Sequence, residues 1–384
     1  METPFFVIHK ALLDQNIKQF KEAMIRNWPY AKLSYSVKTN SLPWILKYMN
    51  ECRVMAEVVS EEEYELAKNC GFDDNNIIYN GPIKTKQSFL HAIHNGAYVN
   101  IDSSREIEWL CEAKTVSNRI GIRINIPPEL FDDADTDYLQ DGFRFGFSDK
   151  NDGIGTVLKS LDRAGFSSIG LHLHCNSVTR SPRVYVAISR YAVALIEKYN
   201  IDVSFIDIGG GFFGGVPGKT APDEYFQLIA GELYKSKRAR KAILMAEPGS
   251  ALVGSTVDYV TSVTDVKDTE KSRIVTTDGS RIHIDPLWKK KEYMYQIKTR
   301  SPDIIDRQIV CGYTCMDHDR IMTIQQKPAL EVGDQIIYHR VGAYSMTFGG
   351  LFIRYLPEVF VEDKGIHYLV RHRSGVQEYY DIET

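Results

Sequence analysis

The sequence predicts an α/β protein: a closed (β/α)8 TIM barrel over roughly residues 10–250, then a mainly β carboxyl-terminal domain of residues 251–384 that also takes residues 1–9. Three observations carry this. Eight short apolar runs alternate with helical stretches as far as residue 250, and that count favours a closed barrel over an open sheet. Beyond it the pattern changes to short alternating runs with turns at Asp278-Gly279 and Gly333-Asp334. The 384 residues suit two domains or one large barrel with an addition.

Residues 3–8 form a short apolar strand behind Pro4, and Asp14 to Asn27 follow with the helical spacing of Ile17, Phe20 and Met24. The barrel strands are then residues 31–38, Val54–Val59, Ile77–Tyr79, Ala97–Ile101, Ile120–Ile124, Ile169–His174, Val203–Ile208 and Ile243–Ala246. Helix starts show between them. Ser60-Glu61-Glu62-Glu63 reads as a capping box, and Ser103-Ser104-Arg105-Glu106 opens a second helix before Ile107 and Leu110. In the second domain Thr256–Thr264, Arg273–Thr277, Gln308–Cys311, Gln335–His339 and His367–Arg371 read as strands.

In such a barrel, chemistry gathers where the strands end, because the βα loops converge there. The predicted ends are Lys38, Glu57, Asn80, Asp102, Arg123, His174, Asp207 and Glu247, a markedly polar set. Most lysines at strand ends are solvated surface charges. Lys38 differs in its company: a partly desolvated lysine on rigid backbone suits Schiff-base formation.

Composition excludes several classes. Hydrophobic residues at 43% and charged residues at 25% are ordinary for a globular enzyme. A net charge of −4 gives no reason to expect nucleic acid or a membrane as partner. No apolar run approaches the roughly 20 residues that span a bilayer, and the amino terminus does not read as a signal peptide. The six cysteines form no CxxC pair or disulfide ladder, which predicts reduced thiols and a cytoplasmic protein.

Three motifs carry chemistry. Asp207-Ile208-Gly209-Gly210-Gly211 is a strand running into a glycine turn, whose N–H groups can approach a phosphate unobstructed; it could equally be a plain turn. His172-Leu173-His174-Cys175-Asn176-Ser177 sets two histidines on one face of a strand. Zinc would need a third and fourth ligand that no spacing reveals, so no metal is expected. A satisfied core histidine, or an imidazole stacked on a cofactor ring with Ser177 at its phosphate, are the other readings. Glu247-Pro248-Gly249 ends the eighth strand in a carboxylate, which is either an ordinary loop acid or a partner for a pyridine nitrogen.

Tyr35-Ser36-Val37-Lys38-Thr39-Asn40, His174-Cys175-Asn176-Ser177, Gly209-Gly210-Gly211-Phe212, Glu247-Pro248-Gly249, Gly312-Tyr313-Thr314-Cys315 and Gly342-Ala343-Tyr344 occur in one order. Over nearly its whole length the chain resembles the fold type III pyridoxal-phosphate decarboxylases, the ornithine, diaminopimelate and arginine decarboxylase group of the alanine-racemase-like fold. The resemblance implies an amino-acid decarboxylase that uses pyridoxal 5'-phosphate and releases carbon dioxide to leave an amine. It implies that Lys38 carries the cofactor, His174 stacks on its ring, Ser177, Gly209, Gly210, Gly211 and Tyr344 hold its phosphate, and Glu247 meets its nitrogen. It also implies a homodimer with shared active sites, in which Cys315 of one protomer returns a proton to the substrate carbon at its partner's site. An amino-acid racemase of the same fold would place arginine where Glu247 stands, and a non-catalytic regulator would be expected to lose Lys38 or Cys315.

The departures concern substrate. The family has glycine where Asn176 stands and arginine where Ser250 stands, so one phosphate or carboxylate contact must come from elsewhere. Met316 replaces an acidic residue that meets a distal ammonium group, while Asp317 and Asp319 lie out of register. Asp285-Pro286-Leu287-Trp288-Lys289-Lys290-Lys291 replaces a loop that would grip a distal carboxylate. Met316, Asp317, Trp288 and Lys289 are therefore the candidate substrate contacts, and a free amino acid and an amino-acid conjugate are both open. Charge runs such as this one are usually solvated surface.

Overall fold

The computed structural model describes residues 1–113 and 117–383. The chain divides into two compact units, one of Asn16–Leu252 and one of Met1–Gln15 with Val253–Thr384.

The chain opens with β1 (Phe5–His9) and α1 (Lys10–Asn27). The first barrel units are β2 (Ala31–Ser36), α2 (Pro43–Glu51), β3 (Met55–Val58), α3 (Glu61–Asn69), β4 (Ile77–Tyr79), α4 (Lys86–His94), β5 (Tyr98–Ile101) and α5 (Ser104–Ala113). The remainder are β6 (Ile120–Arg123), α6 (Gly153–Arg163), β7 (Ser168–His172), α7 (Pro182–Tyr199), β8 (Asp202–Asp207), α8 (Pro222–Leu233), β9 (Ile243–Ala246) and the short α9 (Ser250–Val253). Strands β2 to β9 pair in parallel and in order, and β9 returns to β2 through Ala31 opposite Leu244. The barrel is closed, as expected.

Local chemistry accounts for the helices. Ser60 accepts from the Glu63 N–H at the start of α3, and Thr85 with Ser88 forms a reciprocal capping box for α4. Pro43, Pro182 and Pro222 each sit in the first turn of a helix, where their missing N–H costs nothing.

Met55, Ile78, Tyr98, Phe205 and Met245 fill the barrel interior from five strands. Phe205 lies against β6 and β7 at Gly121 and Gly170, where any Cβ would collide with its ring. These glycines leave the volume that the phenyl group occupies. Above it the interior turns polar. Register sets Ser36 beside Glu57, Arg123 beside His172 and His172 beside Asp207.

The other unit is a sheet. Its strands in the carboxyl-terminal chain are β10 (Val257–Asp268), β11 (Arg273–Thr277), β12 (Met294–Lys298), β13 (Ile304–Cys311), β14 (Arg320–Pro328), β15 (Gln335–His339), β16 (Glu358–Asp363) and β17 (Ile366–Arg371), with helices α10 (Arg281–Ile284) and α11 (Val376–Glu383). Strand β1 lies within it, antiparallel to β10 and parallel to β16. Sequence reading missed β12, β14 and β16. Strand β12 alternates only between exposed and half-exposed positions, and β14 carries Gln325-Gln326-Lys327, so neither shows a full apolar face. Strand β16, Glu358-Val359-Phe360-Val361-Glu362-Asp363, does carry alternating buried positions at Val359 and Val361.

Candidate active site

Five barrel strands stop one or two residues earlier than expected, and two of these bear on the site. Strand β2 ends at Ser36, and Lys38 sits in a 3-10 turn closed by the Asn40 N–H on the Val37 carbonyl at 3.1 Å. The Tyr35 hydroxyl donates to the Asn40 carbonyl at 2.9 Å and fixes that turn from below. Strand β7 ends at His172, leaving His174 two residues into the loop.

Lys38 Nζ lies 3.1 and 3.3 Å from the two carboxylate oxygens of Glu57, while its side chain stays 44% exposed. Glu57 also accepts from Ser36 Oγ at 2.6 Å and Asn80 Nδ2 at 3.1 Å. The same Asn80 nitrogen donates to Glu247 Oε1 at 2.7 Å, and Asn80 Oδ1 accepts from Asn100 at 2.8 Å. A continuous polar path thus runs from Lys38 through Glu57 and Asn80 to Glu247.

The carboxyls on that path differ. Burial pushes Glu57 up, but the Lys38 ammonium and the donors on Ser36 and Asn80 outweigh it and hold Glu57 below the usual carboxylate range. Glu247 is driven well above that range by burial and by the nearby charges of Asp207 and Glu57. Burial likewise lifts Asp207 to about 6. Lys38 therefore faces an ionised carboxylate, and the Asp207–Glu247 pair retains a proton.

His172 Nε2 lies 3.7 Å from Glu247 Oε2. One ligand-type atom from each of His172, Asp207 and Glu247 falls within 4.8 Å of the others, bringing a third group to the histidine motif that spacing did not reveal. Asp207 Oδ2 and both ring nitrogens of His172 are buried without hydrogen-bond partners.

Backbone contacts bind this cluster to the glycine turn. The Gly209 N–H donates to Asp207 Oδ1 at 2.9 Å, and the Glu247 N–H donates to the Gly209 carbonyl at 2.7 Å. Gly209 and Gly211 have φ of +66° and +91°, and a Cβ on Gly209 would lie 2.5 Å from the His174 ring. His174 rests on the glycine turn. Burial, then the charges of Arg123 and Lys38, lowers its pKa to about 3, so the imidazole is neutral. Ser177 Oγ faces the loop and accepts from the Arg180 N–H.

A glycine cradle, a neutral imidazole above it, a proton-holding buried carboxyl and a lysine within one barrel mouth match the donor set that pyridoxal phosphate needs. A family model described as the pyridoxal binding domain of pyridoxal-dependent decarboxylases matches residues 11–254. The chain belongs to the pyridoxal-dependent decarboxylases. This decarboxylase is 27% identical over 367 residues to diaminopimelate decarboxylase of Archaeoglobus fulgidus, covering 91% of this chain and 85% of the relative. It is 25% identical over 402 residues to L-glutamyl-[BtrI acyl-carrier protein] decarboxylase of Niallia circulans, with 97% and 92% covered. Diaminopimelate decarboxylase from M. jannaschi has the same fold, with a TM-score of 0.86 at 20% identity over 100% of this chain and 92% of that one.

The remaining predicted residues lie on the sheet unit. Cys315 is exposed in the loop between β13 and β14. Asp319 organises that loop: it accepts from Ser280 Oγ at 2.9 Å, Thr314 Oγ1 at 2.6 Å and the Arg281 N–H at 3.0 Å. Asp317 is exposed and Met316 half-buried. Trp288 packs on His318 with ring centroids 4.8 Å apart, which sets the lysine loop beside the Cys315 loop. Asp285 folds the lysine loop by accepting from Arg281 and from the backbone of Lys289 and Lys290. Lys290 donates inward to the Ile284 carbonyl, while Lys289 and Lys291 stay exposed. Tyr344 is exposed with φ of +56°.

Sequence reading missed Asn100 and Ser36. Asp102, predicted at the fifth strand end, instead bonds the Gly146 N–H. The signal for Asn100 was a lone amide inside Tyr98-Val99-Asn100-Ile101, buried on both sides.

Proposed function

We propose that this carboxy-lyase holds pyridoxal phosphate in the barrel mouth, with Lys38 as the covalent attachment, and decarboxylates an amino-acid centre whose far end carries no free ammonium group. The observation that carries the first part is Glu247: a buried carboxyl that retains a proton is suited to keeping a pyridine nitrogen protonated. Bound pyridoxal phosphate supplies the electron sink for the carbanion left when carbon dioxide departs.

The residues divide the remaining work. Glu57 orients the Lys38 amine, and Asn80 holds Glu57 and Glu247 in one rigid frame. His174 packs as a neutral ring, adding no positive charge beside a cationic pyridine. The N–H groups of Gly209, Gly210 and Gly211 with the hydroxyl of Ser177 take the phosphate. Cys315 Sγ of one protomer returns a proton to carbon at its partner's site. We read Asp207 and Glu247 as a proton-sharing carboxyl pair beside a neutral His172, whose nearer ring nitrogen lies 3.7 Å from Glu247.

The substrate reading rests on Met316 and Asp319. No acidic side chain follows Cys315 directly, and the Asp319 carboxylate is used up within its own loop. The exposed Lys289 and Lys291 beside Trp288 suit an anionic group on the far side of the substrate, and the relative acting on a glutamyl acyl-carrier protein shows such a conjugate within the family. Exposed Cys315, together with exposed Tyr344, Phe348, Phe352 and Ile353 on the same unit, supports a homodimer that covers this surface. Six cysteines outside any disulfide support a cytoplasmic site of action.

Carbon dioxide release from diaminopimelate, lysine, ornithine and a carrier-bound glutamyl group tests the proposal. Fast turnover of a free diamino acid would overturn the substrate reading. Loss of optical rotation without carbon dioxide would mean racemisation, a reading that Glu247 disfavours.

A further inference from the structure

We infer that Arg180 supplies the cationic contact to the cofactor phosphate that Ser250 does not provide; this rests on the pyridoxal-phosphate reading. Three parts of the phosphate end converge on this one residue. Its N–H donates to Ser177 Oγ at 3.0 Å, and its Nη1 donates to the Phe212 carbonyl at 3.4 Å and to Ser250 Oγ at 3.2 Å. The guanidinium therefore stands beside the glycine turn and at Ser250, the position where the family resemblance implies an arginine.

The placement is enforced by the backbone. Arg180 has φ of +52°, a conformation side chains rarely adopt, and its carbonyl accepts from the Tyr225 hydroxyl at 2.6 Å. The guanidinium carbon lies 5.5 Å from the centre of the Phe213 ring, which supports one face. Among the described residues no carboxylate pairs with it. A guanidinium offers five N–H donors, so most of its capacity is left for an anion. Ser250 is then an acceptor that steers an arginine arriving from the loop before α7.

The test uses R180G, because glycine adopts φ of +52° without strain and keeps both backbone hydrogen bonds while deleting the cation. Cofactor-free enzyme is titrated with pyridoxal phosphate and, separately, with pyridoxal, which lacks the phosphate. R180G should weaken pyridoxal phosphate about 10- to 100-fold, the range of a charge-assisted hydrogen bond, and leave pyridoxal affinity unchanged. R180G/S250R should recover most of the loss by returning an arginine from the other side. Unchanged pyridoxal phosphate affinity in R180G, or equal weakening of both ligands, would overturn the inference while the cofactor reading stands. Wild-type enzyme that binds no pyridoxal phosphate would overturn the cofactor reading itself.

Discussion

Replacing Asp207 by Asn should stabilise the cofactor-free enzyme at neutral pH. Asp207 is buried beside Glu247, and burial raises its carboxyl from 3.8 to about 6. A carboxyl whose folded pKa lies above its unfolded value binds its proton more tightly in the native state. Between about pH 4 and 6 the native state thus binds more protons than the unfolded one, and stability falls as pH rises. A shift of roughly two units at about 1.4 kcal/mol each is worth up to about 3 kcal/mol, an upper bound because Glu247 shares the proton. Asn keeps the oxygen that accepts from the Gly209 N–H and turns an amide toward Glu247. Urea unfolding of both proteins from pH 4.5 to 8 should show the Asn variant ahead by about 2 to 3 kcal/mol at pH 7, with the gap closing toward pH 4. A destabilised variant at pH 7, or a gap independent of pH, would refute the electrostatic account.

Other outcomes follow from the same geometry. Phe205→Ala should cost about 3–5 kcal/mol in denaturant unfolding, because Gly121 and Gly170 leave nothing to refill the space. Cys315→Ala should retain the cofactor's visible absorbance while turnover slows or protonation becomes misdirected; an unaffected rate would remove its acid role. Mixing Lys38→Ala with Cys315→Ala protein should restore partial activity, since a hybrid dimer rebuilds one intact site; no recovery on subunit exchange would argue against shared sites. Dialysis against a chelator should leave activity unchanged, and a loss reversed by zinc would assign His172, Asp207 and Glu247 to a metal.

The barrel was legible because each unit repeats one physical theme, an apolar run and then a capped helix. The polar rim followed from it, since the strand ends at Glu57, Asn80, Asp207 and Glu247 are read directly from the runs. Position within the rim was harder. Lys38 stands past its strand because the Val37–Asn40 bond closes a turn, a choice that apolar alternation cannot register. Asn100 escaped because its partner, Asn80, lies 20 residues away and only barrel closure joins them. Arg180 escaped for a similar reason: its meaning depends on Ser250, 70 residues on. In the sheet unit, β12 and β14 lack an apolar face of their own, so pairing with neighbours defines them and pattern does not.

The central claim is that Lys38 bears the cofactor. Reducing the loaded enzyme with borohydride makes the lysine–cofactor bond permanent, and peptide mass mapping then locates it. The account predicts a pyridoxyl group on Lys38, in the peptide beginning at Leu33. A label on any other lysine, or none on a protein that still releases carbon dioxide from its substrate, would contradict it.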